Sequence, residues 1–402
     1  MRASGVLQKC LPESLGQMHA TREAVLLRSV EGLIAGRRLT LTDVARAWPG
    51  AERVQAPLKA FDRLLSNRHL HGEHEGIYAD MARWLLRGER PVIVIDWSDL
   101  KPDRSWCLLR AAVPVGGRTL SVLEMVFAGK QQGAPAAEKR FLKRLAALMP
   151  AHARPILVTD AGFRNPWFRE VSALGWDWVG RLRGTTLVKP VEVEDRKDQW
   201  VGCRALHPLA CGRPRLLPAM HINRGRPLAC CLAVYRKPGK GRKHVTRHGK
   251  VARSKLSRQC AAREREPWVI IASPGLSDMS ARQLVVLYGR RMQIEASFRD
   301  LKSHRYGHGF EDSLTRKGHR LDILLLVNTM AIFAQWLAGL GCEATGIDQW
   351  LYPAKRRRKL YSTIRVGREA LVRRWPMEPV WNWLQRLREL PEFVLDQMIA
   401  PA

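Results

Sequence analysis

Residues 92–127 of the chain, VIVIDWSDLKPDRSWCLLRAAVPVGGRTLSVLEMVF, decide the fold class. The segment opens with four β-branched apolar residues, 92–95, which is typical of a buried strand. Two further strand-like runs, 106–115 and 118–127, are separated by Gly116-Gly117, a strong signal for a β-hairpin. The segment therefore predicts three consecutive strands with hairpin connections.

Helix and strand patterns alternate after this segment. A helical pattern at 137–148 is followed by a strand pattern at 155–159, a second helix at 163–174 and a second strand at 176–182. Hairpin-connected strands followed by such an alternation predict a mixed sheet with helices on its faces. The fold class is therefore α/β.

An aspartate directly follows two of the buried strands. Asp96 comes after the run 92–95, and Asp160 comes after the run 155–159. Ligands of open α/β sheets bind at the carboxyl ends of the strands, so chemistry is expected at this edge. Both aspartates are candidate catalytic residues.

The charge of the chain points to a polyanionic partner. Of 402 residues, 68 are Lys or Arg and 37 are Asp or Glu, which gives a net charge of +31 with His neutral. Nucleic acid is the first candidate partner for such an excess, and a membrane surface is the second. The apolar content of 46% excludes a disordered or fibrous chain, and the length allows two or three domains.

The eight cysteines give no sign of a metal site or a disulfide framework. None of them forms a C-x-x-C pair, and the adjacent Cys230 and Cys231 cannot easily ligate one ion. We predict reduced, mostly buried thiols.

One segment, 321–340, is apolar enough to resemble a membrane span. It carries Asp322, Asn328 and Gln335 and has basic residues on both sides, so we predict a buried core helix instead. The first thirty residues lack the apolar stretch of a secretory signal. We expect no membrane partner and a location in the cytoplasm or on the chromosome.

The N-terminal region reads as helical. A short helix at 42–48 is stopped by Pro49-Gly50, and a second amphipathic helix follows at 57–65. Two short helices joined by such a turn suit a helix-turn-helix reader of a DNA groove. A plain helical bundle with a basic surface explains the pattern equally well, and the sequence leaves both alternatives open.

Residues 185–267 interrupt the rhythm of the sheet. They contain short strand patterns and the tract 236–255, RKPGKGRKHVTRHGKVARSK, which has nine Lys or Arg residues and no acid. A tract of this composition cannot bury a core and is expected to be a mobile arm. We interpret the whole section as an insertion into the sheet domain.

A helical pattern from 281 to about 303 carries four polar residues on one side. Tyr288, Arg291, Glu295 and Lys302 fall within an arc of about 60° at roughly 100° per residue. Most such stripes are solvated faces with ion pairs. A catalytic role is favoured for this stripe because Glu295 could lie close to the two aspartates that follow the strands.

Three carboxylates at one place repel one another and require divalent cations. Hard oxygen ligands with open positions suit Mg²⁺ or Mn²⁺. Two such ions about 3.5–4 Å apart assist an in-line attack on a phosphodiester. Cations beside Glu295 would then hold DNA phosphates.

The segment Tyr288-Gly-Arg-Arg291-Met-Gln-Ile-Glu295-Ala-Ser-Phe-Arg-Asp-Leu-Lys302 resembles a known signature. It matches the Y-x-x-R-x-x-x-E-x-x-x-x-x-x-K pattern of cut-and-paste DDE transposases of the insertion-sequence-four family, with the nearest likeness to the insertion-sequence-ten type. Ile95-Asp96-Trp97 and Val158-Thr-Asp160-Ala-Gly-Phe163 stand where the first two catalytic aspartates of that family belong.

The resemblance implies a domain organisation. It predicts an RNase H-like catalytic domain with a β-rich insertion, flanked by helical terminal regions. The implied parts are a helical DNA-end-binding domain at 1–85, a catalytic domain at 86–184 and 268–315, a β-rich insertion with a basic arm at 185–267, and a helical region at 316–402 that could serve dimerisation.

The resemblance also implies roles for single residues. Asp96, Asp160 and Glu295 would bind two Mg²⁺ (or Mn²⁺) ions and form the catalytic triad. Asp99 and Asp300 lie near the motifs but outside them, and we interpret both as structural residues or as supports for the site residues. DNA contacts are implied at four further residues: Tyr288, Arg291 and Lys302 on phosphates, and Trp268 by stacking on a base flipped out during hairpin formation.

The implied partners are double-stranded DNA, as transposon end repeats and target, and a second copy of the chain in a synaptic complex on the bacterial nucleoid. No G-x-x-x-x-G-K-[ST] loop is present, so no nucleotide cofactor is expected. Two alternatives stay open: an RNase H-fold nuclease without strand transfer, and a non-catalytic DNA-binding relic of a transposase. The nuclease would leave the tyrosine and the two cations around Glu295 without a use.

Overall fold

The structure is a computed structural model of the chain. It describes residues 2–191, 199–239, 245, 250–255, 257–259, 262, 266–305, 307–352, 359–376, 378, 382 and 392–399. The chain divides into two compact units. The first unit comprises Met1–Ala153 and Met292–Ile399, and the second comprises Arg154–Arg291 and Ala400–Ala402.

The helices and strands alternate as an α/β fold. In chain order the helices are α1 (Ala3–Cys10), α2 (Pro12–Gly16), α3 (Ala20–Gly36), α4 (Leu41–Arg46), α5 (Gln55–Leu65), α6 (Arg68–Leu85), α7 (Pro135–Leu148), α8 (Asn165–Ala173), α9 (Ala281–Gly289), α10 (Met292–Lys302), α11 (Gly318–Thr345), α12 (Thr363–Val372) and α13 (Glu392–Met398). The strands are β1 (Val92–Asp99), β2 (Trp106–Pro114), β3 (Thr119–Ala128), β4 (Ile156–Thr159), β5 (Asp177–Leu182), β6 (Leu187–Pro190), β7 (Val201–Gly202), β8 (Arg215–Ile222), β9 (Leu228–Tyr235) and β10 (Trp268–Ala272).

The first unit contains the predicted hairpin-connected strands. β2 pairs antiparallel with both β1 and β3, and Asp96 stands opposite Arg110 in the β1–β2 register. Gly116 and Gly117 turn the chain between β2 and β3 with φ of 88° and 92°. Only glycine adopts such values without strain, which explains why two glycines occupy this turn.

The second unit contains a mixed sheet. β4 runs parallel to β5, whereas β5 is antiparallel to β10 and β10 is antiparallel to β9. The sheet continues through β8, β6 and β7, which come from the section predicted as a β-rich insertion. The predicted α/β class with a mixed sheet is confirmed, and these strands are consistent with an RNase H-like domain.

The N-terminal region is helical, as predicted, from α1 to α6. Thr40 caps α4 by accepting a hydrogen bond from the Asp43 backbone N–H at 3.1 Å, so the helix begins at Leu41, one residue before the predicted start at 42. The connection 47–54 between α4 and α5 is longer than the three or four residues of a typical helix-turn-helix. The packing of these helices therefore resembles the bundle alternative more closely.

The apolar segment 321–340 lies in α11 of the first unit. Among the described residues, α11 is a helix that is long and apolar enough to cross a membrane. However, 94% of its most apolar 18-residue stretch is buried, as in the core helix of a soluble protein. Two of its polar residues have partners: the Asp322 carboxylate accepts from the Val126 N–H at 3.1 Å, and Asn328 Oδ1 lies 2.6 Å from His308 Nδ1. The prediction of a buried core helix is confirmed.

The single helix predicted for 281–303 is wrong. The structure has two helices, α9 and α10, separated by a turn at Arg290 and Arg291. The Arg290 and Arg291 N–H groups donate to the carbonyls three residues earlier, at 3.2 and 3.1 Å, so the last turn of α9 tightens and ends. Gly289 has a weak helix propensity and permits the break.

Two predicted features lie partly outside the described residues. These are the basic tract 236–255 and the C-terminal part of the region 316–402. The prediction of buried cysteines is confirmed for those that the structure describes: six are buried and only Cys211 is half-buried. Burial raises the pKa of Cys10 and Cys342 to about 12, as expected for inert structural thiols.

Candidate active site

Asp96 lies inside β1, where the strand emerges from the core; the strand continues to Asp99, so the prediction that Asp96 directly follows it is wrong. The four preceding residues are buried, and Asp96 is half-buried. Its Oδ1 accepts a hydrogen bond from the backbone N–H of Trp97 at 2.9 Å. This bond fixes the orientation of the carboxylate through the backbone of its own strand.

The indole of Trp97 contacts a buried carboxyl group. Its Nε1 lies 3.5 Å from Oε1 of Glu138 on α7, and its ring meets Phe127 edge-on at 5.3 Å. Burial raises the pKa of Glu138 to about 7. Glu138 was not singled out from the sequence, because a Glu on an amphipathic helix carries no signal of burial.

Glu295 and Lys302 lie seven residues apart on α10 in the first unit. Glu295 is exposed, whereas Lys302 is half-buried at the end of the helix. Burial lowers the pKa of the Lys302 ammonium, and the charges of Glu311, Asp99 and Asp96 oppose this shift. Lys302 therefore lies within electrostatic reach of Asp96, which brings two of the predicted site residues to one region of this unit.

Asp160 follows β4 directly and belongs to the second unit. Its Oδ1 accepts a hydrogen bond from the Gly162 backbone N–H at 2.7 Å, so the loop after the strand holds the carboxylate. A Cβ at position 162 would lie 2.9 Å from this oxygen, closer than normal contact allows. Glycine at 162 is thus part of the geometry of Asp160.

Two clefts of the second unit meet beside Asp160. Ala161, Arg183 and Gly184 line both of them. One cleft also contains Asp160, Arg204 and His207, and the other contains the exposed Arg164 and Arg224. Cationic clefts on both sides of a strand-end carboxylate suit a phosphate backbone.

Trp268 begins β10 and is half-buried in a group of aromatic and cationic side chains. Its ring meets the rings of Tyr288 and Tyr235 edge-on, with centroids 5.1 and 6.1 Å away. Lys237 Nζ lies 5.1 Å and the Arg181 guanidinium 5.8 Å from the indole centroid. The cations supply positive charge next to a ring that can stack.

Tyr288 is buried, with 4% of its surface exposed, and supports Trp268 from the end of α9. The guanidinium of Arg291, in the turn that follows, lies 5.8 Å from its ring centroid. Tyr288 also hydrogen-bonds Arg181, whose pKa is lowered by burial and by the charge of Arg183, and raised in part by Tyr288 and Glu266.

Glu266 forms ion pairs with Arg181 of β5 and with Arg183, which follows that strand. Its Oε2 lies 3.6 Å from Arg181 and 3.2 Å from Arg183. Arg181, Arg183, Lys237 and Glu266 were missed in the sequence because they come from segments far apart in the chain. The alternation Arg181-Leu182-Arg183 at a strand end was the one available signal.

The types of ligand atom that the predicted triad offers suit a hard divalent cation. Asp96, Asp160 and Glu295 offer carboxylate oxygens, which Mg²⁺ and Mn²⁺ prefer, and glycine at 162 leaves the side of Asp160 open. Within the described part of the chain, no group of three or more His, Cys, Asp or Glu side chains is already arranged around a metal position. The triad remains a prediction.

The predicted site residues divide between the two units. Asp96, Glu295 and Lys302 belong to the first, and Asp160, Trp268, Tyr288 and Arg291 belong to the second. Of the residues interpreted as structural, Asp300 forms an ion pair with Arg118, and Asp99 Oδ2 lies 3.6 Å from Arg104. The signature therefore spans two helices instead of one stripe.

A comparison with protein families places this geometry in context. A family model described as a transposase DDE domain matches residues 87–333 of the chain. The matched range contains all seven residues that the sequence analysis assigned to catalysis or DNA contact. No curated protein matches the chain.

Proposed function

The chain belongs to the transposase DDE domain family, because the match covers more than half of its 402 residues, and we propose that it catalyses cut-and-paste transposition of an insertion sequence. Proteins of this family are enzymes that act on DNA and generally use divalent metal ions. The proposal adds the reaction steps, the residues and the type of element.

One observation carries the proposal: two aspartates inside the matched range each have a carboxylate oxygen held by a nearby backbone N–H, Asp96 within β1 and Asp160 directly after β4. Oδ1 of Asp96 and Oδ1 of Asp160 each accept a backbone N–H from the residues that follow, at 2.9 and 2.7 Å. Pre-oriented carboxylates of this kind suit metal binding, because the backbone has already fixed their direction.

We assign Asp96, Asp160 and Glu295 as the ligands of two Mg²⁺ or Mn²⁺ ions. When bound, such ions lower the pKa of an attacking water or hydroxyl and stabilise the leaving oxygen of a phosphodiester. The carboxylates hold these charges in place and neutralise them before DNA arrives. Lys302, within electrostatic reach of Asp96, would contact the phosphate that approaches the same edge.

The reaction begins with a nick that frees a 3′-hydroxyl at the end of the element. That hydroxyl attacks the opposite strand and forms a hairpin, water reopens the hairpin, and the freed end joins target DNA. In each step one P–O bond forms as another breaks, so the same carboxylates serve all of them. These steps follow from the resemblance to the insertion-sequence-four family and to its insertion-sequence-ten type.

Trp268 is proposed to hold a base that leaves the stack during hairpin formation. Bending the second strand is easier when one base is unstacked, and an indole face offsets about 1–3 kcal/mol of that loss. The half-buried indole between Tyr288 and Lys237 is suited to this, because the cation can meet the neighbouring phosphate. Tyr288 and Arg291 would support the ring and the backbone beside it.

Partners and location follow from the same proposal. The helical region 1–85 would bind the end repeats, the clefts beside Asp160 would hold DNA strands, and two copies of the chain would pair two ends in a synaptic complex. A transposase is expected to work in the cytoplasm, on the nucleoid, without a nucleotide cofactor.

The first experiment tests cleavage. A duplex that carries the end of the element is incubated with the protein and Mg²⁺, and nicked and hairpin products are followed in time. Asp96→Asn should abolish both products while DNA affinity is kept, because the substitution removes a metal ligand and no phosphate contact. Equal losses of affinity and cleavage would contradict the assigned role.

The second experiment separates a transposase from a simple nuclease. Trp268→Ala should leave nicking near normal and slow hairpin formation by about ten- to a hundredfold, if the stacking energy is expressed in the transition state. A nuclease would give no hairpin at all, and a relic would give no nick. If nicking and hairpin formation fall together with the melting temperature, Trp268 is only a core residue.

A further inference from the structure

The turn between β2 and β3 makes an unusually complete contact with the helix that carries Glu295. Both elements belong to the first unit. The backbone N–H groups of Gly116 and Gly117 both donate to Oε1 of Gln293, at 3.1 and 3.0 Å. Two successive N–H groups that converge on one oxygen form a concave donor site, and the positive φ of both glycines creates it.

The next two residues of the turn continue the contact. Arg118 pairs with the carboxylate of Asp300. The backbone N–H and the hydroxyl of Thr119 lie 2.9 and 3.0 Å from Ser297 Oγ. Each of the four consecutive residues 116–119 therefore bonds a side chain of α10.

Gln293, Ser297 and Asp300 form one stripe of the helix. At about 100° per residue they fall within an arc of about 60°, whereas Glu295 and Lys302 fall about 180° away from that arc. The turn holds the face of α10 opposite the two signature residues. Fixing one face of a helix fixes its rotation, and the rotation sets the direction of the side chains on the other face.

Gln293 also joins the helix to a third element. Its Nε2 donates to Oε1 of Gln397 on α13 at 3.0 Å, so both ends of its amide group are used. An amide with all of these bonds cannot turn without breaking at least one of them. Gln293 therefore ties α10 to two other elements, the turn 116–119 and α13.

We infer that Gln293, Ser297 and Asp300, held by the turn 116–119, are positioning residues that set the rotation of α10 and thereby orient the Glu295 carboxylate for metal binding. The inference rests on the proposed function, because orientation matters only if Glu295 is a ligand. Catalytic groups must be held within about 10–20° of the productive geometry. Loss of a supporting hydrogen bond around a metal ligand typically costs about 10- to 100-fold in metal affinity or activity.

The test compares Gln293→Ala with Gln293→Glu. Alanine removes the acceptor for Gly116 and Gly117, whereas glutamate keeps an acceptor in the same place. Nicking of the end-containing duplex is measured in single turnovers over a range of Mg²⁺ concentrations. DNA affinity is measured separately with Ca²⁺ in place of Mg²⁺, and each variant receives a melting curve.

We expect the half-saturating Mg²⁺ concentration of Gln293→Ala to rise about tenfold or more, with DNA affinity unchanged. Gln293→Glu should restore most of the original Mg²⁺ dependence. A merely structural contact would lower the melting temperature without moving the Mg²⁺ curve, and that result would overturn the inference. If Gln293→Ala is unfolded at the assay temperature, Ser297→Ala with Ser297→Thr as the conservative partner gives the same comparison.

Glu295→Gln is measured alongside to separate the two failures. If Glu295→Gln nicks like the original protein, the assignment of Glu295 and the proposed function are wrong. If Glu295→Gln is inactive while Gln293→Ala keeps the original Mg²⁺ dependence, only the positioning role is wrong.

Discussion

Single backbone N–H groups do much to define the candidate site. One carboxylate oxygen of Asp96 accepts a hydrogen bond from the backbone N–H of Trp97, and one of Asp160 accepts from the backbone N–H of Gly162. A main-chain donor survives any substitution of its own side chain except proline, so the orientation of these carboxylates is set by the course of the strand and its loop. Substitutions disturb it only where the new side chain presses on the carboxylate.

Gly162→Ala provides such a disturbance. The added Cβ would lie 2.9 Å from Asp160 Oδ1, so the carboxylate must leave the Gly162 N–H or the loop must shift. A displacement near 1 Å at a catalytic group can cost about a hundredfold in rate. We expect a loss of nicking of that order, with DNA affinity and melting temperature close to the original, measured in the same end-cleavage assay.

The matched control is Gly212→Ala in the same unit. A Cβ at Gly212 would meet no atom within 4 Å, so this variant should cleave normally. Normal cleavage by Gly162→Ala would mean that the orientation of Asp160 does not matter for the reaction.

At the scale of elements, glycines allow two helices of the first unit to approach closely. A Cβ at Gly367 on α12 would clash with the Gln335 carbonyl on α11, and a Cβ at Gly339 on α11 would clash with the Thr363 carbonyl. Both obstacles are backbone atoms, which cannot move away as a side chain can. The contact between α11 and α12 therefore depends on the absence of side chains at these two positions.

Gly367→Ala should destabilise the protein by about 1–3 kcal/mol or more, the usual cost of overpacking. Urea unfolding measures the loss, and Gly5→Ala in α1 is the control. A Cβ at Gly5 meets no atom within 4 Å, and alanine is the better helix former, so that variant should be neutral or more stable by up to about 1 kcal/mol. Equal stability of both variants would show that α11 and α12 do not pack as described.

Asp322, near the start of α11, makes the free energy of unfolding depend on pH. Burial, with the added charge of Glu124, raises the pKa of Asp322 to about 7, although the bond from the Val126 N–H opposes the shift. Between about pH 4 and pH 7 the unfolded chain has lost this proton and the folded protein retains it. Stability therefore falls as pH rises through that window and levels off above it.

Asp322→Asn should remove this part of the pH dependence. Asparagine still accepts the Val126 N–H and has no proton to lose, so the variant gains stability relative to the original protein at pH 8 and gains little at pH 4.5. Urea unfolding at both pH values gives the measurement, with Asp396→Asn at an exposed carboxylate as the control. A constant difference at both pH values would contradict the assignment.

The elements that follow from local pattern were predictable from the sequence. β1 to β5 and the helices between them match the expected segments, because apolar runs, alternation and Gly116-Gly117 are local signals. The break between α9 and α10 was not predictable, since the four signature residues Tyr288, Arg291, Glu295 and Lys302 fit one stripe of a single helix. The helix ends because the Arg290 N–H bonds the carbonyl three residues earlier instead of four. No side-chain pattern encodes that change.

Long-range contacts explain what else was missed at the candidate site. The bond from Gly116 to Gln293 joins residues far apart in the chain, and so does the ion pair of Arg183 and Glu266. Such partners carry no common spacing in a single sequence. The carboxylates were found because each follows a recognisable apolar run or stands in a recognisable signature.

For the whole molecule, the net charge of +31 sets how binding should respond to salt. Each phosphate neutralised by Lys or Arg releases condensed counterions, so the logarithm of the affinity for duplex DNA falls with the logarithm of salt by about 0.9 per contact. A basic residue that contacts no phosphate raises only the general electrostatic potential. The slope of this salt dependence therefore reports the number of phosphate contacts and distinguishes it from the effect of the total charge.

Arg164 and Arg224 line a cleft beside Asp160 and are both exposed. If DNA follows this cleft, Arg164→Gln/Arg224→Gln should reduce the slope by about 1.8 and weaken binding equally for all sequences. The control, Arg154→Gln/Arg215→Gln, removes the same charge from exposed positions of the same unit that line neither cleft. It should lower affinity slightly through the reduced potential and leave the slope nearly unchanged. Binding titrations at four or more salt concentrations distinguish the two pairs, and identical slopes for both would show that DNA does not run along this cleft.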